Sequence, residues 1–160
     1  MIASRTLASL VYGGFAALGF WEVWANWPTQ LAAGYQLDPP ALIVTLFHAR
    51  LGLELPLVWA KGLHYLTGFL FYPIGYMLLI RSVNLNQALA GWLWGVVTYF
   101  IALGFFAPLA GLPFLLIGDN ETLSIMSLIG HAGYGYVLSV VFGALESQQP
   151  SIQPLPAHAR

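Results

Sequence analysis

The sequence predicts an all-α polytopic integral membrane protein, a four-transmembrane-helix bundle with an interfacial helix between spans 1 and 2. Three observations carry this expectation. Of 160 residues, 59% are hydrophobic and only 7% are charged, against roughly 25% charged in an average soluble domain, so the chain lacks the polar groups to cover a water-facing surface. The stretch from Gly62 to Ile80 bears no formal charge and is closed by Arg81; at about 1.5 Å per residue it is long enough to cross a hydrocarbon core of about 30 Å. Six Trp and eight Tyr supply amphipathic rings for two membrane–water interfaces.

The same composition removes several function classes. A formal net charge of -1 gives no basic footprint for nucleic acid. With no cysteine, disulfides, thiolate metal sites, iron–sulfur clusters and a cysteine nucleophile are excluded. No catalytic triad, phosphate-cradling glycine loop or paired-carboxylate hydrolase site is visible. The expected organisation is a single bundle over residues 1–146, followed by a tail over 147–160 whose Pro150, Pro154 and Pro156 among Gln and Ser leave it too polar to fold alone.

The first span is expected at about residues 6–25. Its start resembles a signal peptide, but Trp21, Trp24 and Trp27 fit an interfacial belt better than a cleavage site, so a retained span is expected. Gly13 and Ala17 give it a small-residue face for close packing. Glu22, at its outer end, is expected to be solvated by water or Asn26. Asp38-Pro39-Pro40 then reads as a helix start, with a carboxylate to accept backbone N–H groups and proline in the first turn. The helix that follows, at about 40–53, is too short to span and too apolar to float, so it is expected in the interface or over the bundle mouth, with His48 on its polar face.

The second span is expected at about 57–80, with Trp59 and Lys61 as interface anchors. Asn84 or Asn86 is expected to cap the third, at about 88–107, which carries the close-packing pair Gly91 and Gly95. Pro108 and Pro113 are expected to break or kink the chain beyond it. The acidic turn Asp119-Asn120-Glu121 starts the fourth, at about 121–145. Read every four residues, this last span gives Ser127, His131, Gly135, Ser139 and Gly143, a stripe of small residues around one imidazole.

His64 and His131 are the candidate site. Spans 2 and 4 run in the same direction, and the two histidines lie about 17 and 15 residues before Arg81 and Glu146, within roughly 3 Å in depth. Each is followed four residues later by glycine, Gly68 and Gly135, which would clear space on the same face. Such a pair suits the axial ligation of haem b, or a metal or quinone pocket, serving electron transfer. The competing reading is structural, with each imidazole satisfied by a neighbour such as Thr67, Thr98, Ser127, Tyr65 or Tyr134.

Three motifs, Gly62-Leu63-His64-Tyr65-x-x-Gly68, Gly95-Val96-Val97-Thr98 with Pro108 beyond it, and Gly130-His131-Ala132-Gly133-Tyr134-Gly135, resemble a group of bacterial four-span inner-membrane proteins of unknown function. The likeness covers about Gly62 to Gly143 and implies a bacterial cytoplasmic-membrane location without a catalytic assignment. The leading functional expectation is a non-enzymatic accessory or structural subunit of a larger membrane complex in the lipid bilayer. The alternatives are haem b or quinone-linked electron transfer through His64 and His131, and a small transporter. Four spans put both ends on one side with Arg5, Arg81 and Arg160, opposite Arg50 and Lys61, which predicts cytoplasmic termini. A reporter fused after Arg160 is expected to be active on the cytoplasmic side; activity confined to the periplasm would reverse the topology.

Overall fold

The computed structural model describes residues 4–147. Among them there are helices and turns but no strand, and four helical stretches are long and apolar enough to cross a membrane: Arg5–Ala33, Leu57–Ser82, Gln87–Leu109 and Glu121–Ser147. The first comprises α1 (Ser4–Asn26) and the short α2 (Pro28–Ala33). The connection holds α3 (Pro39–Leu51), and the second span is built from α4 (Leu57–Leu66) and α5 (Tyr72–Ser82). The third contains α6 (Gln87–Tyr99) and α7 (Ala107–Leu109), and the fourth is α8 (Glu121–Ser147). Ser147, expected to begin the tail, still belongs to α8, and the rest of that tail, 148–160, lies outside the described residues.

The caps follow side-chain chemistry. Asp38 accepts from the Ala41 N–H at 3.0 Å and Asn86 from the Leu89 N–H at 2.9 Å, each satisfying a donor that the first helical turn leaves without an intrahelical partner. At the start of α8 it is Asn120 that accepts from Leu123 N–H, at 2.9 Å, while Glu121 turns back toward the Gly118 N–H at 3.4 Å.

Two π-helical segments interrupt the second and third spans, Thr67–Phe71 and Phe100–Phe106, and the sequence reading did not anticipate them. Each ends two residues before a proline. A proline inside a helix has no N–H for the carbonyl four residues back and clashes with it. The chain widens by one residue instead: Tyr72 N–H bonds to Thr67 O and Ala107 N–H to Ala102 O, both spanning five residues. Gly68 O thereby loses its α-type donor, Tyr72, and its π-type donor would be Pro73, which has none. The hydroxyl of Tyr134 donates to Gly68 O and restores the bond. Where a break or kink was expected at Pro108, the chain forms a π segment with a short helical end.

Helix α8 is the centre of the bundle, packed along both α1 and α6. Glycine permits the closest approach. A Cβ on Gly95 would stand 2.6 Å from Ala132 Cα, and one on Gly91 would stand 2.7 Å from Gly135 O, so α6 and α8 meet nearly backbone to backbone. On the other side a Cβ on Gly13 would meet Leu138 Cδ1 at 3.0 Å, and Ala17 is fully buried in the core. At the Ser139 level Gln87 Nε2 donates to Ser139 O at 2.8 Å, and the same Gln87 amide fills the space beside Gly143. Trp27 and Trp59 are exposed, as interface residues should be, but Trp21 is buried at 5% exposure and belongs to the core rather than a belt.

Gly95→Val would place its branch against α8 backbone, which cannot move aside as a side chain can. It is expected to lower stability by about 3 kcal/mol, the upper end of ordinary overpacking, measured as thermal unfolding in detergent. Gly62 has open space around it, so Gly62→Ala is expected to raise stability by about 0.5 kcal/mol in the same assay.

Candidate functional site

A cavity of about 630 Å³ lies between the spans, walled on one side by α3. Its lining is mostly apolar, with Leu18 from α1, Leu42 and Leu46 from α3, and Leu103 and Phe106 from the third span. Both π segments contribute to it, Thr67 and Gly68 from the first and Ala102, Leu103 and Phe106 from the second. That placement suits segments whose widened turn makes room beside the helix axis. Leu116 closes part of the wall from a turn in which Leu115 and Leu116 adopt left-handed backbone, φ 53° and 57°, a conformation that costs about 1–3 kcal/mol at a residue other than glycine.

His64 and His131 both line this cavity. The antiparallel contacts of α1 explain why. Leu18 faces Gly68 of the second span, while Trp24 Nε1 donates to Met126 O of α8 at 2.8 Å, so α1 holds the two histidine-bearing helices parallel and in register. His64 Nε2 is 3.3 Å from Glu22 Oε1. Glu22 is thus more than the solvated end residue expected of it: it joins α1 to the second span while also standing 3.5 Å from Asn26 Nδ2. A smaller hollow of about 160 Å³ adjoins the cavity, sharing Trp21, Gln36 and Asp38 with it and adding Glu22, Asn26 and Lys61, so the polar groups collect on one side of His64.

His131 is held differently. Its Nδ1 is 3.0 Å from Thr98 Oγ1, and Thr98 spends its one hydroxyl proton on Gly95 O at 2.9 Å. Thr98 can therefore only accept from the imidazole, which puts the proton of neutral His131 on Nδ1 and leaves a lone pair on Nε2. The ring of Trp21 packs against the imidazole, centroids 4.5 Å apart and tilted by 54°, and Tyr99 approaches at 6.3 Å. Among the described residues none bonds Nε2.

The glycines paired with these histidines do other work than clearance for a cofactor. A Cβ on Gly68 would lie 2.8 Å from Leu18 Cδ1, and one on Gly135 would lie 2.6 Å from Gly95 N, so both gaps are filled by protein. Gly68 still reaches the cavity wall; Gly135 belongs to the α6–α8 contact. Ser139, fully buried, bonds Tyr136 O at 2.8 Å and does not line the cavity, whereas Ser127 does. No cluster of three or more His, Asp or Glu able to hold a metal ion occurs among the described residues. Elsewhere His48 pairs with Glu54 at 2.8 Å on the exposed side of the interfacial helix, a solvated pair outside the cavity.

Helix α3 is held over the cavity at both ends. Asp38 caps its start, and Arg50 near its end donates through Nε to Leu109 O at 2.6 Å and through Nη2 to Pro108 O at 3.5 Å. Scans against protein-family models, curated proteins and solved structures found no match to this chain. Asp38→Ala is expected to cost about 1 kcal/mol of helix stability, read as faster amide hydrogen exchange across residues 41–51 with exchange in α8 unchanged. Equal acceleration in both helices would mean that α3 supports the whole bundle rather than covering one side of it.

Proposed function

We propose that this protein is a membrane-embedded binding protein for a lipid-soluble molecule, held between the spans under α3. The observation that carries the reading is the largely apolar cavity of about 630 Å³ with His64 and His131 in its wall. Ligand sites of this kind have an apolar lining and a few placed polar groups, and ionisable side chains within a membrane face the bundle interior where they serve a function. The reading places the molecule in a bacterial cytoplasmic membrane with both ends inside, following the basic residues and the likeness of its histidine motifs. It takes up the quinone-type alternative in preference to an accessory subunit, because close packing alone gives no account of so large an apolar hollow.

The haem form of the histidine hypothesis has weaker support. His131, with Nδ1–H bonded and a lone pair on Nε2, has the form of an axial ligand, whose second nitrogen is ordinarily fixed by a hydrogen bond. His64 instead turns Nε2 to Glu22. Among the described lining residues there is no Arg or Lys to meet propionates, and the one carboxylate, Asp38, would repel them.

Protein purified in lipid nanodiscs and extracted with organic solvent is expected to release an apolar metabolite enriched over empty discs, identified by mass spectrometry. Ala102→Phe, which fills the cavity from the third span, is expected to reduce that enrichment at least tenfold while the protein stays folded by circular dichroism. Absence of any enriched molecule would end this reading and return attention to a partner complex. A Soret band lost in His131→Ala would favour haem.

A further inference from the structure

The unmet hydrogen-bonding capacity of the wall specifies the head group of the ligand. His131 is 7% exposed and presents a lone pair on Nε2, because Thr98 fixes the proton on Nδ1. Ser127 stands one helical turn before it on α8, also lines the cavity, and is 2% exposed. Its hydroxyl bonds no described residue, not even the carbonyl four residues back that helical serines commonly use. Trp21, whose ring lies against His131, has a buried indole N–H with no partner among the described residues. Buried polar groups are almost always paired, and each exception calls for a physical account. Two of these, His131 Nε2 and the Ser127 hydroxyl, belong to residues of one cavity wall, whereas the indole N–H, like that of Trp94, is shut away from open space.

We infer that the ligand carries a hydroxyl head, alcohol, phenol or quinol, whose O–H donates to Nε2 of His131 and whose oxygen accepts from Ser127. The inference rests on the cavity reading above and narrows it. A ketone or oxidised quinone offers only acceptors and would leave the His131 lone pair unmet. An ammonium head offers only donors and would give the Ser127 hydroxyl proton nothing. A hydroxyl does both with one atom, and the apolar lining accommodates the body of the molecule. The remaining imidazole, His64, turns Nε2 to Glu22 and is less buried than His131, its side chain 14% exposed, so it lies outside this set.

The test uses two radiolabelled probes that differ only in the proton, 4-dodecylphenol and its O-methyl ether, bound to the full chain in nanodiscs, with empty discs subtracted. The wild type is expected to bind the phenol about tenfold more tightly, the size of one net hydrogen bond to a buried group. His131→Phe is expected to bring the two affinities within about twofold while leaving ether binding unchanged, whereas Ser127→Ala, which removes a donor that both oxygens can use, is expected to weaken both probes by a similar factor. Equal affinity of the wild type for both probes, or a preference that survives His131→Phe, overturns the hydroxyl assignment and leaves the cavity reading standing. Binding of neither probe overturns both. Should His131→Phe fail to fold by size-exclusion chromatography, the wild-type preference for the phenol and a similar loss of both probes in Ser127→Ala decide together, since that change removes one atom at a residue without packing bulk.

Discussion

The hydrocarbon core offers no water to a backbone group without a partner, so every carbonyl in a span must find a donor within the protein. Pro73 and Pro108 test that rule, since each withholds a donor, Pro73 in the middle of the second span and Pro108 at the end of the third. The response is the same at both: the helix widens to a π turn just ahead of the proline. In the second span the carbonyl that remains, on Gly68, is met by Tyr134 of α8. That bond crosses from one histidine-bearing span to the other, one turn below His64 and His131, and so the repair of a backbone defect also fixes the spacing of the site.

The cavity is the volume left when helices of uneven width pack around α8. On the α6 side, Gly91, Gly95 and Gly135 bring backbones together and leave no room. Around the cavity the two π segments, the strained turn at Leu115 and Leu116, and the separate helix α3 hold the walls apart. Close packing at one face and a hollow at the other are two outcomes of the same small-residue chemistry, decided by whether a neighbouring backbone or a neighbouring side chain arrives first.

The spans were legible because a run of apolar residues bounded by polar ones has few other meanings at this length. Asp38-Pro39-Pro40 announced α3 by local chemistry alone, and the two histidines paired by counting back from Arg81 and Glu146 line one cavity. Other features depend on tertiary contact. Glu22 looked like an end residue because its sequence neighbours say nothing of His64, 42 positions away. Gly68 and Gly135 looked like clearances because a sequence does not reveal that Leu18 and α6 occupy those gaps. The π segments did leave a trace: a proline well inside an apolar span is a direct signal of a disturbed hydrogen-bond ladder, and Pro73 carried it as plainly as Pro108.

The hold of Arg50 on the far end of α3 runs to two main-chain oxygens, those of Pro108 and Leu109. A guanidinium bonded to carbonyls recognises where the chain goes and is indifferent to which side chains it bears there. The cover over the cavity is consequently tied to the path of the third span rather than to its composition. The side chain at position 109 is free to vary as long as that path is kept, but a residue gained or lost between the second π segment and this turn would carry both oxygens out of reach. For the cover, the length of the third span is under tighter constraint than its lettering.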